Sequence, residues 1–305
     1  MKKRLITIQK SIIILHKISN ELSGLNKKEV DRIISFALKE DIGSGDITTN
    51  SIIAKDKKST AYFLAKEDGV VAGLTMAKSV FTKLDKKIIW KSFVEEGDKV
   101  SAGTKIAILK GSYRAMLTGE RTALNILQRV SGIATLTSQF VERVRGTKAK
   151  ILDTRKTVPG LRLLDKYGVK IGGGKNHRSG LYDMVLIKDN HIKVAGSITS
   201  AVEQVRKHVK RKIIIEVETS NLEEVREALD SKVDIIMLDN MNNDMMKEAV
   251  KIINGRAKVE ASGNIKLNNI RGVAETGVDF ISIGVLTHSV KALDINMKFE
   301  NRKEK

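Results

Sequence analysis

The sequence predicts an α/β protein in two parts, a small α+β unit followed by a parallel β/α barrel. Three observations predict it. The chain has 305 residues, 41% hydrophobic and 30% charged, which allows a sizeable core and is too apolar for a disordered chain. Residues 25–110 mix a helical pattern with short strand-like runs and glycine turns. From residue 149 onward, seven short apolar runs each end in polar residues, and most lead into a helical pattern.

The elements follow in chain order. Residues 1–20 carry Lys2, Lys3, Arg4, Lys10 and Lys17 and no acid. Lys10 interrupts the apolar stretch and no small-residue cleavage site follows, which argues against a secretory signal, and an organelle presequence would favour Arg over Lys. Residues 1–24 are expected to be a basic helical extension or a start placed too far upstream. Asn26 followed by Glu29 caps a helix whose apolar face is Val30, Ile33, Ile34, Ala37 and Leu38. It stops at the turn-forming stretch Asp41–Asp46. Strand-like runs come at Ala61–Ala65, Val70–Ala72 and Lys105–Leu109. Leu124, Leu127 and Val130, then Phe140, Val141 and Val144, predict helical segments parted near Ser131-Gly132. That break sets the expected domains at 25–130 and 131–290, with 291–305 a charged tail. The seven barrel runs centre on Ile151, Ile171, Met184–Ile187, Ile213–Ile215, Ile235–Leu238, Val259 and Phe280–Ile283. Ser220-x-x-Glu223 predicts a capping box, and Gly277 a helix C-terminus. Seven units leave open whether an eighth strand completes the barrel.

Composition removes several classes of function. With no Cys there is no disulfide scaffold, thiol nucleophile or Cys-ligated metal. No run approaches the ~18 apolar residues of a transmembrane helix. A cytoplasmic location is expected. Gly43-x-Gly45 has Thr at position 48 and follows a helix, so it is not a dinucleotide loop. Lys175 is followed by Asn176, and position 169 is Val, so the triple glycine before it is not a P-loop. The net charge of +19 suits a nucleic-acid binder, but aromatics are only 4%. Scattered lysines such as Lys27, Lys28, Lys86 and Lys87 fit a solubilising surface equally well.

In a β/α barrel, strand C-termini converge on one mouth. The polar endings then bring Arg155, Lys156, His177, Arg178 and Lys188 together with Glu218 and Asp239. A cationic half facing an acidic half suits a polyanionic substrate with a divalent cation.

At these residues the sequence resembles the decarboxylating quinolinate phosphoribosyltransferases over roughly residues 25–290. The matching motifs are Glu40–Thr48, Gly119–Asn125, Asp153–Thr157, Gly173–Arg178, Lys188–His191, Glu216–Glu218, Leu238–Asn240 and Ser262–Asn264. The resemblance implies an N-terminal α/β sandwich domain, a seven-stranded parallel β/α barrel, and formation of nicotinate mononucleotide from quinolinate and phosphoribosyl pyrophosphate. It implies that Arg121, Arg155, Lys156, His177, Arg178 and Lys188, beside Thr154, hold the two adjacent carboxylates of quinolinate. Glu218 and Asp239 would face the ribose hydroxyls and Mg²⁺ of the donor. Lys156, Lys188, Glu218 and Asp239 are the catalytic candidates. Ser262, Gly263, Asn264, Ser282, Ile283 and Gly284 would offer backbone N–H groups to the 5′-phosphate. Arg121 would reach into a neighbouring subunit of a homodimer or higher homo-oligomer. His191 divides evenly between an orienting and a structural role, while His16, His208 and His288 are expected to be ordinary histidines. The rival readings are a related phosphoribosyltransferase-like enzyme with another acceptor, such as the molybdenum-associated paralogue, and a nucleic-acid-binding protein.

Overall fold

The computed structural model describes residues 25–209 and 212–300. The expected basic extension, residues 1–24, lies outside them. Asn26 accepts a hydrogen bond from the Glu29 N–H and opens α1 (Lys27–Ile42). The turn after it ends in a second cap, Asp46, which accepts from the Thr49 N–H at 2.9 Å and starts α2 (Ile47–Ile52). Next come β1 (Lys58–Ala65), β2 (Gly69–Val70), α3 (Leu74–Leu84), β3 (Ile89–Ser92), β4 (Lys99–Val100) and β5 (Lys105–Ser112). β5 lies antiparallel between β1 and β3. On β1 the alternate residues Ala61, Phe63 and Ala65 are fully buried, which is the period of a strand with one face on a core. Phe63 meets Phe81 of α3 there, with ring centroids 6.1 Å apart.

The expected break near Ser131-Gly132 does not exist. α4 (Tyr113–Arg143) is one helix of 31 residues. Leu124, Leu127 and Val130 enter the first core, and Ile133 and Phe140 enter the second. The boundary expected at 130/131 therefore falls inside a helix shared by both halves. Tertiary packing overrides the weak propensity of Gly132, whose missing side chain makes room for the Lys291 carbonyl and the Ala292 backbone.

The barrel follows as β6 (Lys150–Leu152), α5 (Arg162–Ile171), β7 (Val185–Ile187), α6 (Asp189–Ala195), α7 (Ile198–His208), β8 (Ile215–Thr219), α8 (Leu222–Asp230), β9 (Ile235–Asp239), α9 (Asn243–Ile253), β10 (Lys258–Ser262), α10 (Ile270–Glu275), β11 (Phe280–Ser282) and α11 (Val285–His288). Six strands form a parallel sheet in the order β6-β11-β10-β9-β8-β7. The second of the seven expected units is only a bridge from Lys175 to Leu152 on the free side of β6, and Ile171 ends a helix instead. Gly172 and Gly174 explain this. A Cβ at either would collide with Ala134, Thr137 or Val169, so the glycines let this turn press against α4. The helix α8 is capped by Asn221, one residue after the expected Ser220; its side chain accepts from the Glu224 N–H at 2.8 Å. Gly277 follows α10 in the left-handed region, as expected.

The segment expected as a charged tail contains a further strand. β12 (Ile295–Phe299) runs antiparallel along β1, pairing Ile295 with Ala65 and Met297 with Phe63. Ile295 and Met297 are buried in the N-terminal core, so alternate apolar residues outweigh the lysines between them. Among the described residues no helix is long and apolar enough to cross a membrane.

Candidate active site

The C-terminal ends of the barrel strands surround a cavity of about 1090 Å³. Thr154, Arg155, Lys156, His177, Arg178 and Lys188 line one side, and Glu218, Asp239, Ser262–Asn264 and Ser282–Gly284 the other. Every site residue expected from the sequence is there except Arg121, which is exposed on α4 and does not line this cavity.

The cationic side is built around buried charge. Asp153, fully buried after β6, accepts from Lys166 Nζ, from Asn176 Nδ2 at 2.6 Å and from the His177 N–H at 2.8 Å. Burial raises the Asp153 carboxyl and lowers the Lys166 ammonium, and each opposes the shift of the other. Asp153 thus fixes the chain that carries His177 and Arg178. The Arg178 guanidinium donates to the Met184 carbonyl at 3.2 Å. Its proton affinity is lowered first by burial and next by the like charge of Arg155. Arg155 Nε is itself buried without an acceptor. Two mutually repelling guanidiniums with an unused buried donor are what a bound dianion would neutralise.

Lys188 donates from Nζ to Glu218 at 2.7 Å, joining the two sides of the mouth. His191 accepts the Lys188 N–H through Nδ1 at 2.9 Å, so it serves the start of α6. His208 sits exposed at the end of α7, 2.8 Å from the Gln204 carbonyl, and His16 lies outside the described residues.

His177 differs from expectation. Its Nδ1 accepts the Arg178 N–H at 2.8 Å, which leaves the proton on Nε2, 3.0 Å from Glu216 and 3.6 Å from Glu260. Burial lowers its proton affinity, but the bond to Glu216 and the charges of Glu260 and Glu216 outweigh this and raise it. The Arg178 N–H and Glu216 hold both ring nitrogens, so the imidazole is fixed in place in the cavity wall. Glu260 is pushed up to about 8, by burial first and then by Glu216, and keeps its proton at neutral pH. His177, Glu216 and Glu260 also form a three-ligand cluster of the kind that can hold a metal. The proton on Nε2 removes the lone pair such an ion would need.

On the acidic side, Glu218 and Asp239 stand at the ends of neighbouring strands β8 and β9. Asn240 donates to Asp239 Oδ2 at 2.7 Å and accepts from Asn264 Nδ2 at 3.0 Å. Asn240 and Asn264 both have left-handed backbones, and a Cβ on Gly263 between them would run into Asn240. This ties the Asp239 carboxylate to the Ser262–Asn264 turn. Two carboxylates that leave further positions to water or substrate oxygens fit Mg²⁺. The other expected phosphate turn is partly committed: the Ile283 N–H donates to the Leu152 carbonyl at 3.0 Å and cannot also meet a phosphate.

Two family descriptions match this chain: "Quinolinate phosphoribosyl transferase, N-terminal domain" over residues 46–131 and the corresponding C-terminal domain over residues 133–298. The chain belongs to the quinolinate phosphoribosyltransferase family. A quinolinate phosphoribosyltransferase [decarboxylating] 2b, mitochondrial, from Nicotiana tabacum is 47% identical over 291 residues, covering 89% of this chain and 82% of its own. A probable nicotinate-nucleotide pyrophosphorylase [carboxylating] from Synechocystis sp. is 47% identical over 272 residues, covering 88% of this chain and 92% of its own. The crystal structure of NadC from Streptococcus pyogenes superposes with a TM-score of 0.87 at 40% identity, over 91% of this chain and 99% of that one.

Within this phosphoribosyltransferase fold, Lys266 and His288 also line the cavity and were not expected there. Lys266 lies four residues after Ser262, so the position of that turn was the available signal. Glu216 was seen only as part of a motif, and Glu260 not at all. Each lies within a strand, at a position that a half-exposed sheet would turn to solvent.

Proposed function

We propose that this enzyme transfers the phosphoribosyl group of phosphoribosyl pyrophosphate to quinolinate with decarboxylation, giving nicotinate mononucleotide, carbon dioxide and pyrophosphate for NAD synthesis. The observation that carries the site assignment is the facing pair Arg155 and Arg178 beside the carboxylates Glu218 and Asp239 in one cavity. The arginines grip the adjacent carboxylates of quinolinate, with Lys156 and Lys188 supplying further charge and His177 and Thr154 fixing the walls. The Ser262–Asn264 turn and Gly284 hold the 5′-phosphate. Glu218 and Asp239 hold Mg²⁺, which when bound neutralises charge on the departing pyrophosphate.

These groups aim the pyridine nitrogen at the ribose carbon as pyrophosphate leaves. The nitrogen becomes cationic and stabilises the carbanion formed when the neighbouring carboxylate departs as carbon dioxide, and that carbon then takes up a proton from water to give the product. No covalent nucleophile is needed, so positioning and fixed charge supply the catalysis. Lys188 must release Glu218 in part when substrates and metal arrive, because one ammonium cannot serve both sides in full.

Arg121 completes the clamp in a neighbouring subunit of a homodimer, or of a higher oligomer built from it. Its exposure on α4, away from its own cavity, supports this. The location we propose is the cytoplasm, in keeping with a Cys-free chain. The deciding experiment follows carbon dioxide released from carboxyl-labelled quinolinate, with and without the phosphoribosyl donor. Release only with the donor is expected. Transfer to a different acceptor with no carbon dioxide would replace this reading by that of a related phosphoribosyltransferase.

A further inference from the structure

The Arg155–Val158 segment carries two of the site cations but belongs to no helix or strand. Besides short-range bonds to Thr154 and Leu161, two bonds of its backbone reach more distant parts of the protein. The Lys156 carbonyl accepts from Thr287 Oγ1 at 2.7 Å, and the Val158 N–H donates to Asp165 Oδ2 at 3.2 Å. Both ties lead to one side chain. Arg129 on α4 donates from Nε and Nη2 to the two Asp165 oxygens at 2.8 and 2.9 Å, and from Nη2 to the Thr287 carbonyl at 3.1 Å. The ring of bonds Lys156–Thr287–Arg129–Asp165–Val158 is closed.

We propose that Arg129, Asp165 and Thr287 are positioning residues, which hold the Arg155–Lys156 turn at a fixed distance from the Ser282–Gly284 turn. The proposal rests on the reading of Lys156 as a site residue. Thr287 stands three residues after Gly284, donates its own N–H to the Gly284 carbonyl at 3.1 Å, and so joins both turns. The turns touch: a Cβ at Gly284 would come within 2.9 Å of Lys156 Cδ. Asp165 and Thr287 are fully buried. A buried ion pair adds little net stability compared with apolar packing, but its paired, directional bonds allow one arrangement only. Here the arrangement it fixes is that of the dicarboxylate end of the cavity relative to the phosphate end. Arg129 also lies eight residues beyond Arg121 on α4, about 12 Å along the same rod, so one helix sets the brace and carries the outward arginine.

The test compares Thr287→Val, which keeps the shape and removes the bond to Lys156, with Thr287→Ser, which keeps the hydroxyl. Lys156→Ala and Arg129→Ala are measured alongside, with kcat, KM for each substrate and the melting temperature recorded for all. The expected result is a kcat at least ~10-fold lower in Thr287→Val with little change in melting temperature, and near-full recovery in Thr287→Ser. Arg129→Ala should lose more and regain part of its kcat on addition of guanidinium; if it does not fold, the Thr287 pair decides. A normal kcat in Thr287→Val alongside an inactive Lys156→Ala overturns the brace. A normal Lys156→Ala overturns the reading of Lys156, and the brace with it.

Discussion

Replacing Arg178 by Ala separates binding from stability more cleanly than any other change in the cavity. In the free protein the Arg178 side chain donates a hydrogen bond to the Met184 carbonyl at 3.2 Å and has a like charge next to it in Arg155. The nearby Asp183 keeps its bonds from the Ser179 and Gly180 N–H groups at 2.6 and 3.1 Å. Removal relieves the repulsion from Arg155 but also loses the attraction to Asp183 and to Glu216, which keeps its bond to His177. The two effects oppose, so folding stability should change by less than ~1 kcal/mol. With quinolinate bound the balance reverses, because the guanidinium then faces a carboxylate. Loss of one partner of a desolvated charge pair costs roughly 2–5 kcal/mol, and an open cavity argues for the lower end. At about 2–3 kcal/mol, kcat/KM for quinolinate should fall ~30- to ~150-fold. Steady-state rates at saturating phosphoribosyl donor, with a thermal melt on the same sample, measure both quantities. A folded variant within ~3-fold of wild type would mean that Arg178 does not touch the substrate.

Four further outcomes are expected. Asp239→Asn should weaken phosphoribosyl pyrophosphate far more than quinolinate, and excess EDTA should stop turnover; equal losses for the two substrates, or full activity in EDTA, would remove the metal from Asp239 and Glu218. Arg121→Ala and Arg155→Ala should each be nearly inactive, yet random re-pairing should restore about a quarter of wild-type activity in a dimer with shared sites; no recovery after confirmed subunit exchange would place Arg121 outside the site. Glu260 binds a proton in the folded protein up to about pH 8 but only to about 4.5 when unfolded, so its contribution is full below 4.5 and is lost as pH rises through 8. Urea melts of Glu260→Gln should show a stability decline across pH 5–8 shallower than wild type by up to ~1.4 kcal/mol per unit, and parallel slopes would count against the buried proton. Gly172→Ala should lower stability by roughly 1–3 kcal/mol, because the new methyl meets the Ala134 carbonyl, and an unchanged melting temperature would contradict that contact.

The strand-end residues were legible because a β/α barrel turns chain order into spatial convergence. Once Asp153–Lys156, His177-Arg178, Lys188, Glu218 and Asp239 each follow an apolar run, they must share one mouth. What lies beneath the mouth was not legible. Glu216 and Glu260 look like the outward residues of alternating strands, and only closure of the sheet turns them inward against His177. That inward contact also fixes the orientation of the His177 ring, which its place between Asn176 and Arg178 could not show. The unity of α4 was hidden for a different reason. Ser131 and Gly132 are poor helix residues taken locally, and their value lies in partners distant in sequence: the Ser131 hydroxyl accepts from the Ala72 N–H at 2.9 Å, while Gly132 admits the Lys291 backbone. β12 was missed because net charge dominated the reading of residues 291–305, although Ile295, Met297 and Phe299 repeat at strand period.

The pairing of β12 with β1 has a consequence for synthesis. The N-terminal sheet is complete only when its last strand, more than two hundred residues downstream, has left the ribosome. At typical translation rates of roughly 5–20 residues per second, β1 waits on the order of tens of seconds with an open edge. An unpaired edge of that kind invites association with other nascent chains. Loss of the final strand through a premature stop would make the opening permanent, so such truncated products should be sticky even though every cavity residue is present. The cell has reason to shield this edge, and a bound chaperone would be expected to leave only when residues 295–299 arrive.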